Sequence, residues 1–201
     1  MEDAQFITER QGTVVSTNKV LRNTYLLLSM TLLFSAAMAG VAMAIEAPYM
    51  GWLPLIFAFA LLFAISKMKN SAWGILLVFT FTGILGFSLG PIVNAYMQTA
   101  GGTTTVVTAL SLTGVIFLSL SGYTLVSQKD FSYMSGFLMT GLCVVIGAIV
   151  LYLVGGMFGF HISGLQLAIS SAIVMLMSGL ILYDTSKIIH GGETNYIMAT
   201  V

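Results

Sequence analysis

Residues 133–154 read YMSGFLMTGLCVVIGAIVLYLV, without an Asp, Glu, Lys or Arg among them. Their apolar residues follow one another with no alternation. As an α-helix rising 1.5 Å per residue the run extends about 33 Å, enough to cross the roughly 30 Å of hydrocarbon in a bilayer. A membrane β-strand would instead alternate apolar and polar positions over about ten residues. The run is therefore read as a transmembrane helix.

Five further runs of the same kind surround it, and we place the spans near 24–45, 49–66, 71–97, 104–126, 133–154 and 162–189. Composition agrees. Of 201 residues, 58% are hydrophobic and only 7% are charged, whereas a soluble domain carries about a quarter charged residues. A water-soluble fold of this size leaves roughly 30% of its chain surface exposed, too much for so apolar a sequence to keep in water. The expected class is all-α: a polytopic transmembrane helical bundle over 24–201, forming one domain behind a polar, disordered tail at 1–23. Net charge is zero, so no basic field recruits nucleic acid. Cys143, the single cysteine, has no partner for an internal disulfide and reads as a small apolar residue.

The cations are distributed unevenly. Arg10, Lys19 and Arg22 precede the first span, Lys67 and Lys69 follow the second, Lys129 follows the fourth, and Lys187 closes the sixth. The opposite connections hold Glu46 and no Lys or Arg. The positive-inside rule assigns the basic side to the cytoplasm, with both chain ends there. A cleaved signal peptide is the competing reading of the first span, since AMAGVAMA resembles a small-residue cleavage site.

Three smaller patterns bear on sites. Gly86 and Gly90, four apart in TGILGFSLGP, form a helix-packing pair that lets two helix backbones approach closely in a membrane; Pro91 and Asn94 follow. The same letters place Ser88 in a G-x-S-x-G pattern, which with His161 would suggest an intramembrane serine hydrolase, although that motif belongs on a strand-to-helix elbow. His190 and Glu193 have a metal-ligand spacing, but Gly191 and Gly192 between them favour a helix stop with Lys187 and His190 near its negative end. No metal, cofactor or catalytic residue is expected.

Asp184, in LILYDTSKIIH at 180–190, is the acidic residue that falls within a span. A carboxylate at mid-bilayer costs about 2.5–3.5 kcal/mol even on insertion scales. Two readings stay open. Asp184 forms a local ion pair with Lys187 one turn later, or it faces the bundle interior as a proton-responsive or ion-path carboxylate.

Three stretches carry a resemblance: KVLRNTYLLLSMTL (19–32), GFSLGPIVNAY (86–96) and LYDTSKIIHGGETNYIMATV (182–201). They closely resemble YccA-type bacterial members of the Bax-inhibitor-motif (TMBIM) family, over nearly the whole chain, and HGGETNYI is the most specific part. The resemblance implies a seven-helix family fold with a cytoplasmic N-terminus, a seventh helix lying beyond Val201. It implies a bacterial inner-membrane modulator and substrate of the ATP-dependent protease FtsH, which is held with HflK and HflC. More distant relatives look like pH-sensitive calcium leaks with paired carboxylates on the last two helices. Asp184 matches the sixth-helix member, and the second position is not in this sequence. On this reading the tail, including Met1, Glu2, Asp3, Glu9 and Arg10, engages the protease, and the alternative is a proton-gated cation leak through Asp184.

Overall fold

The computed structural model describes residues 2–159, 164–190 and 194–201, with side chains from Lys19 onward. Among the described residues the chain forms six α-helices and two 3₁₀ turns. The helices are α1 (Glu2–Ala44), α2 (Leu53–Met68), α3 (Ala72–Met97), α4 (Gly102–Ser127), α5 (Ser135–Met157) and α6 (Leu165–Ile189), and the turns are Ser132–Met134 and Met198–Thr200. Among the described residues, five helical segments are long and apolar enough to cross a membrane: Lys19–Ala44, Ala72–Met97, Gly102–Ser127, Ser132–Met157 and Leu165–Ile189. The helical bundle expected from composition is thus observed.

Two departures from expectation have physical causes. The backbone is helical from Glu2, where polar composition suggested an irregular tail. Extending an existing helix adds a hydrogen bond per residue without a new nucleation cost, and residues 2–23 contain no proline to interrupt it. Secondly, α2 has 16 residues, or about 24 Å, less than the hydrocarbon thickness. Pro54 sits at its first turn, where a missing N–H costs nothing.

The helices group into two compact units, one of residues 1–112 with 191–201 and one of 113–190. In the first, α1 packs on α3 through glycines. A Cβ on Gly83 would stand 2.7 Å from the Phe34 ring, one on Gly86 would strike the Ser35 backbone carbonyl, and one on Gly90 would lie 2.6 Å from Ala42 Cβ. The Phe34 and Phe79 rings meet edge to face with centroids 5.5 Å apart. Contacts advance in the same direction on both helices, so α1 and α3 run parallel. Two parallel spans joined in sequence require the chain between them to return, and α2 makes that return despite its length. Leu27, Ile65, Val78 and Ile197 form a shared core at one end, the end to which Lys19, Arg22, Lys67 and Lys69 belong.

In the second unit α5 and α6 pair antiparallel around Leu138, Val145 and Leu176. Glycine again permits the approach: a Cβ on Gly141 would stand 2.5 Å from Leu176 Cδ2, and one on Gly179 would stand 2.8 Å from Leu138 Cδ2. The outer faces carry exposed Val144, Leu151, Leu167 and Met175, which suits a hydrocarbon solvent.

These contacts generate a paired prediction. Gly86→Ala should destabilise the protein by about 1–3 kcal/mol through overpacking. Gly114→Ala in α4, where nothing lies within 4 Å of the added carbon, should be neutral or stabilise by up to about 1 kcal/mol of helix propensity. Thermal unfolding in detergent measures both, and equal behaviour of the two variants would contradict the packing.

Candidate functional site

The final turns of α6 carry the candidate residues. Their periodicity divides them: Thr185, Ser186 and Ile188 are buried, whereas Asp184 and Lys187 are exposed. Tyr183, half-buried, lines an apolar groove of about 220 Å³ between α5 and α6 together with Ser135, Leu138, Met139, Leu142 and Leu180. Asp184 follows it on the exposed face. Among the described residues no ion pair within 4.0 Å joins Asp184 to Lys187.

The residue that sequence reasoning missed is Ser186. Its side chain is fully buried, and its Oγ accepts a hydrogen bond from the Phe131 backbone N–H at 2.9 Å. The same oxygen lies 3.3 Å from the Lys129 carbonyl and 3.3 Å from His190 Nδ1. His190 Nδ1 is also 2.9 Å from the Ser186 carbonyl oxygen. A carbonyl only accepts, so this approach requires the proton on Nδ1. The serine hydroxyl is then left to donate to Lys129. One serine thus pins the α4–α5 connection to the end of α6. Its partners lie 55 to 57 residues away in sequence, and no local pattern points to them.

Asp130 completes this connection. Its Oδ1 accepts from the Ser132 N–H at 2.8 Å, capping the 3₁₀ turn. Hydrogen bonds from the Ser132 side chain and backbone, with a smaller contribution from nearby His190, hold its carboxyl below the usual carboxylate range. Phe131 is buried beside it, its ring centroid 6.3 Å from Tyr123 and 6.4 Å from Tyr133.

A second polar tie lies in the first unit. Asn195 Nδ2 donates to the Lys69 carbonyl at 3.0 Å and to Asn70 Oδ1 at 2.8 Å. Its Oδ1 accepts from the backbone N–H of Ile197 at 3.0 Å and of Met198 at 3.3 Å. The asparagine in the most specific stretch of the sequence is therefore a cap for the terminal turn and a tie to the α2–α3 connection.

The remaining candidates are placed as follows. Gly86 and Gly90 are buried against α1. Ser88 lies inside α3, not on an elbow, and its hydroxyl donates to the Leu85 carbonyl at 2.9 Å. Asn94 Oδ1 accepts from Gln98 Nε2 at 3.4 Å. The backbone of Glu2, Asp3, Glu9 and Arg10 belongs to the part of α1 that precedes the apolar segment. Met1, His161, Gly191, Gly192 and Glu193 lie outside the described residues.

The family described as "Inhibitor of apoptosis-promoting Bax1" matches residues 17–201. The chain belongs to the Bax inhibitor family. An uncharacterized protein of Pseudomonas aeruginosa is 46% identical over 183 residues, covering 90% of this chain and 80% of the relative. An uncharacterized membrane protein of Vibrio cholerae is 46% identical over 189 residues, covering 93% and 82%. "Modulator of FtsH protease YccA" of Escherichia coli K12 is 44% identical over 189 residues, covering 94% and 84%. The same protein in a second Escherichia coli strain is named an inner membrane protein. With five apolar spanning segments of its own, this family member is a multi-pass membrane protein.

Two outcomes are expected at the α4–α5 connection. Ser186→Ala leaves the buried Phe131 N–H without its acceptor, which should cost about 1–3 kcal/mol and speed hydrogen exchange at that amide. The cap by Asp130 has the sign of a depressed carboxyl: present above the unfolded value near 3.8 and lost as pH falls through the lower folded value. Exchange at the Ser132 amide, corrected for its intrinsic pH dependence, should therefore stay protected through pH 4 and lose protection only below it.

Proposed function

We propose that this protein is an inner-membrane modulator of the FtsH protease, which it occupies as a slowly degraded substrate. The observation that carries the reading is 44% identity across 94% of the chain to a protein named as a modulator of that protease. Two physical features support a mechanism of competition. The α1 helix begins at Glu2 while its apolar segment begins at Lys19, so a polar segment containing Glu2, Asp3, Glu9 and Arg10 extends beyond the membrane as a handle. Behind it lies a bundle whose helices approach at glycine contacts and resist extraction.

The orientation needed is an N-terminus in the cytoplasm, where FtsH, together with HflK and HflC, would meet the handle. Parallel α1 and α3 bring the start of the first span and the Lys67–Lys69 turn to one end, in keeping with the positive-inside rule. Deleting residues 2–18 should abolish FtsH-dependent turnover in cells while the protein still inserts. A half-life unchanged by the deletion would refute the handle.

A second reading starts from Asp184, a carboxylate within a span that closes no ion pair among the described residues, although it stands on the exposed face of α6 and not toward the bundle interior. An intramembrane carboxylate of this kind suits passage or sensing of protons or calcium. Liposome flux measured from pH 6 to 8 should then depend on pH and collapse in Asp184→Asn; flux insensitive to both removes this reading.

A further inference from the structure

Residues 194–201 close over one end of the first unit. Ile197 is 2% exposed and shares a core with Leu27 of α1, Ile65 of α2 and Val78 of α3, with Tyr196 and Met198 packed against it. The Met198–Thr200 turn itself lies against α1. Polar contacts fix the segment on its other side, through Asn195 to Lys69 and Asn70. Gly74 makes room for it: a Cβ there would stand 3.2 Å from Ile197 Cδ1 and 2.7 Å from the Met68 carbonyl.

The segment is held at an apolar point and at a two-bond polar point, and its apolar point includes α1. Leu27 lies near the beginning of the first apolar segment, which starts at Lys19. A force applied to the residues before Lys19 therefore reaches the Leu27–Ile65–Val78–Ile197 core before it reaches the glycine contacts at Phe34 to Ala42. To withdraw Leu27, the core must open, and Ile197 is one of its four walls.

We propose that residues 194–201 act as a strap that locks the start of the first span, so that this segment sets how fast the chain is withdrawn by its N-terminus. The proposal rests on the reading that FtsH grips the residues before Lys19. Contacts that must break before the rate-limiting step govern kinetic resistance, and the strap places such contacts at the first step of extraction.

The test uses the full chain in proteoliposomes with FtsH and ATP. In a Cys143→Ser background, Asn70→Cys and Asn195→Cys are joined by a short bis-methanethiosulfonate reagent, and Asn195→Ala is compared with wild type. The joined protein should be degraded several-fold more slowly than the same protein after reduction, and Asn195→Ala several-fold faster than wild type. Equal rates for all forms, with wild type degraded, overturn the strap and leave the FtsH reading standing. Hydrogen exchange in detergent provides the arm without a protease. Amides of Leu27 to Thr31 should exchange about tenfold faster in Asn195→Ala, as expected for loss of a local tie. Unchanged exchange overturns the lock even if FtsH degrades the protein. If FtsH leaves wild type intact, the FtsH reading fails, the strap's role in setting extraction falls with it, and exchange alone decides whether the lock exists.

Discussion

Close approach of the α1 and α3 backbones is the constraint on which the first unit depends. In a bilayer the hydrophobic effect does not drive one helix onto another, because lipid tails are as apolar as leucine. Association then relies on packing and dispersion, each atom pair contributing only about 0.1–0.2 kcal/mol, so the number of pairs brought into range decides the outcome. Gly83, Gly86 and Gly90 supply that number by removing side chains at positions where Phe34, Ser35 and Ala42 fit. The α5–α6 hairpin follows the same rule with Gly141 and Gly179.

Parallel pairing of α1 and α3 has consequences for topology. It forces residues 45–71 back across the membrane and so gives the short α2 a spanning role that its length alone does not. It also places the α2–α3 connection beside the start of the first span, where residues 194–201 contact both. Two polar side chains tie connections at the ends of helices: Ser186 holds the α4–α5 connection, and Asn195 holds the Met198–Thr200 turn to Lys69 and Asn70. Each holds backbone groups that lie outside regular helix, where an unsatisfied N–H or carbonyl near lipid is costly.

Much of this was legible in the sequence. Long runs without charge, such as 133–154, revealed the helices because hydropathy over a span averages many residues. The Gly86 and Gly90 spacing pointed to a packing face because small residues four apart lie on one side of a helix. The helical backbone of residues 2–18 was not foreseen, since polar composition says little about whether an existing helix continues. Ser186 and Asn195 escaped notice as ties for a different reason. Each resembles an ordinary polar residue at a helix boundary, and its meaning lies in partners 55 and about 125 residues away. Sequence did mark 190–197 as distinctive, through likeness to a family, without showing that Asn195 does the holding. Asp184 was conspicuous as a carboxylate within a span, yet its exposed position on α6 follows from a rotation about the helix axis that charge counting does not reveal.

The central claim is that α1 and α3 cross the membrane in the same direction with α2 returning between them. Single cysteines introduced at Tyr49, Asn70 and Thr99, in a Cys143→Ser background, test it with a membrane-impermeant maleimide applied to intact cells. The account predicts that the cysteines at 49 and 99 behave alike and the cysteine at 70 oppositely, one set being labelled only after the membrane is opened. Equal labelling of 49 and 70, or of 70 and 99, would contradict it.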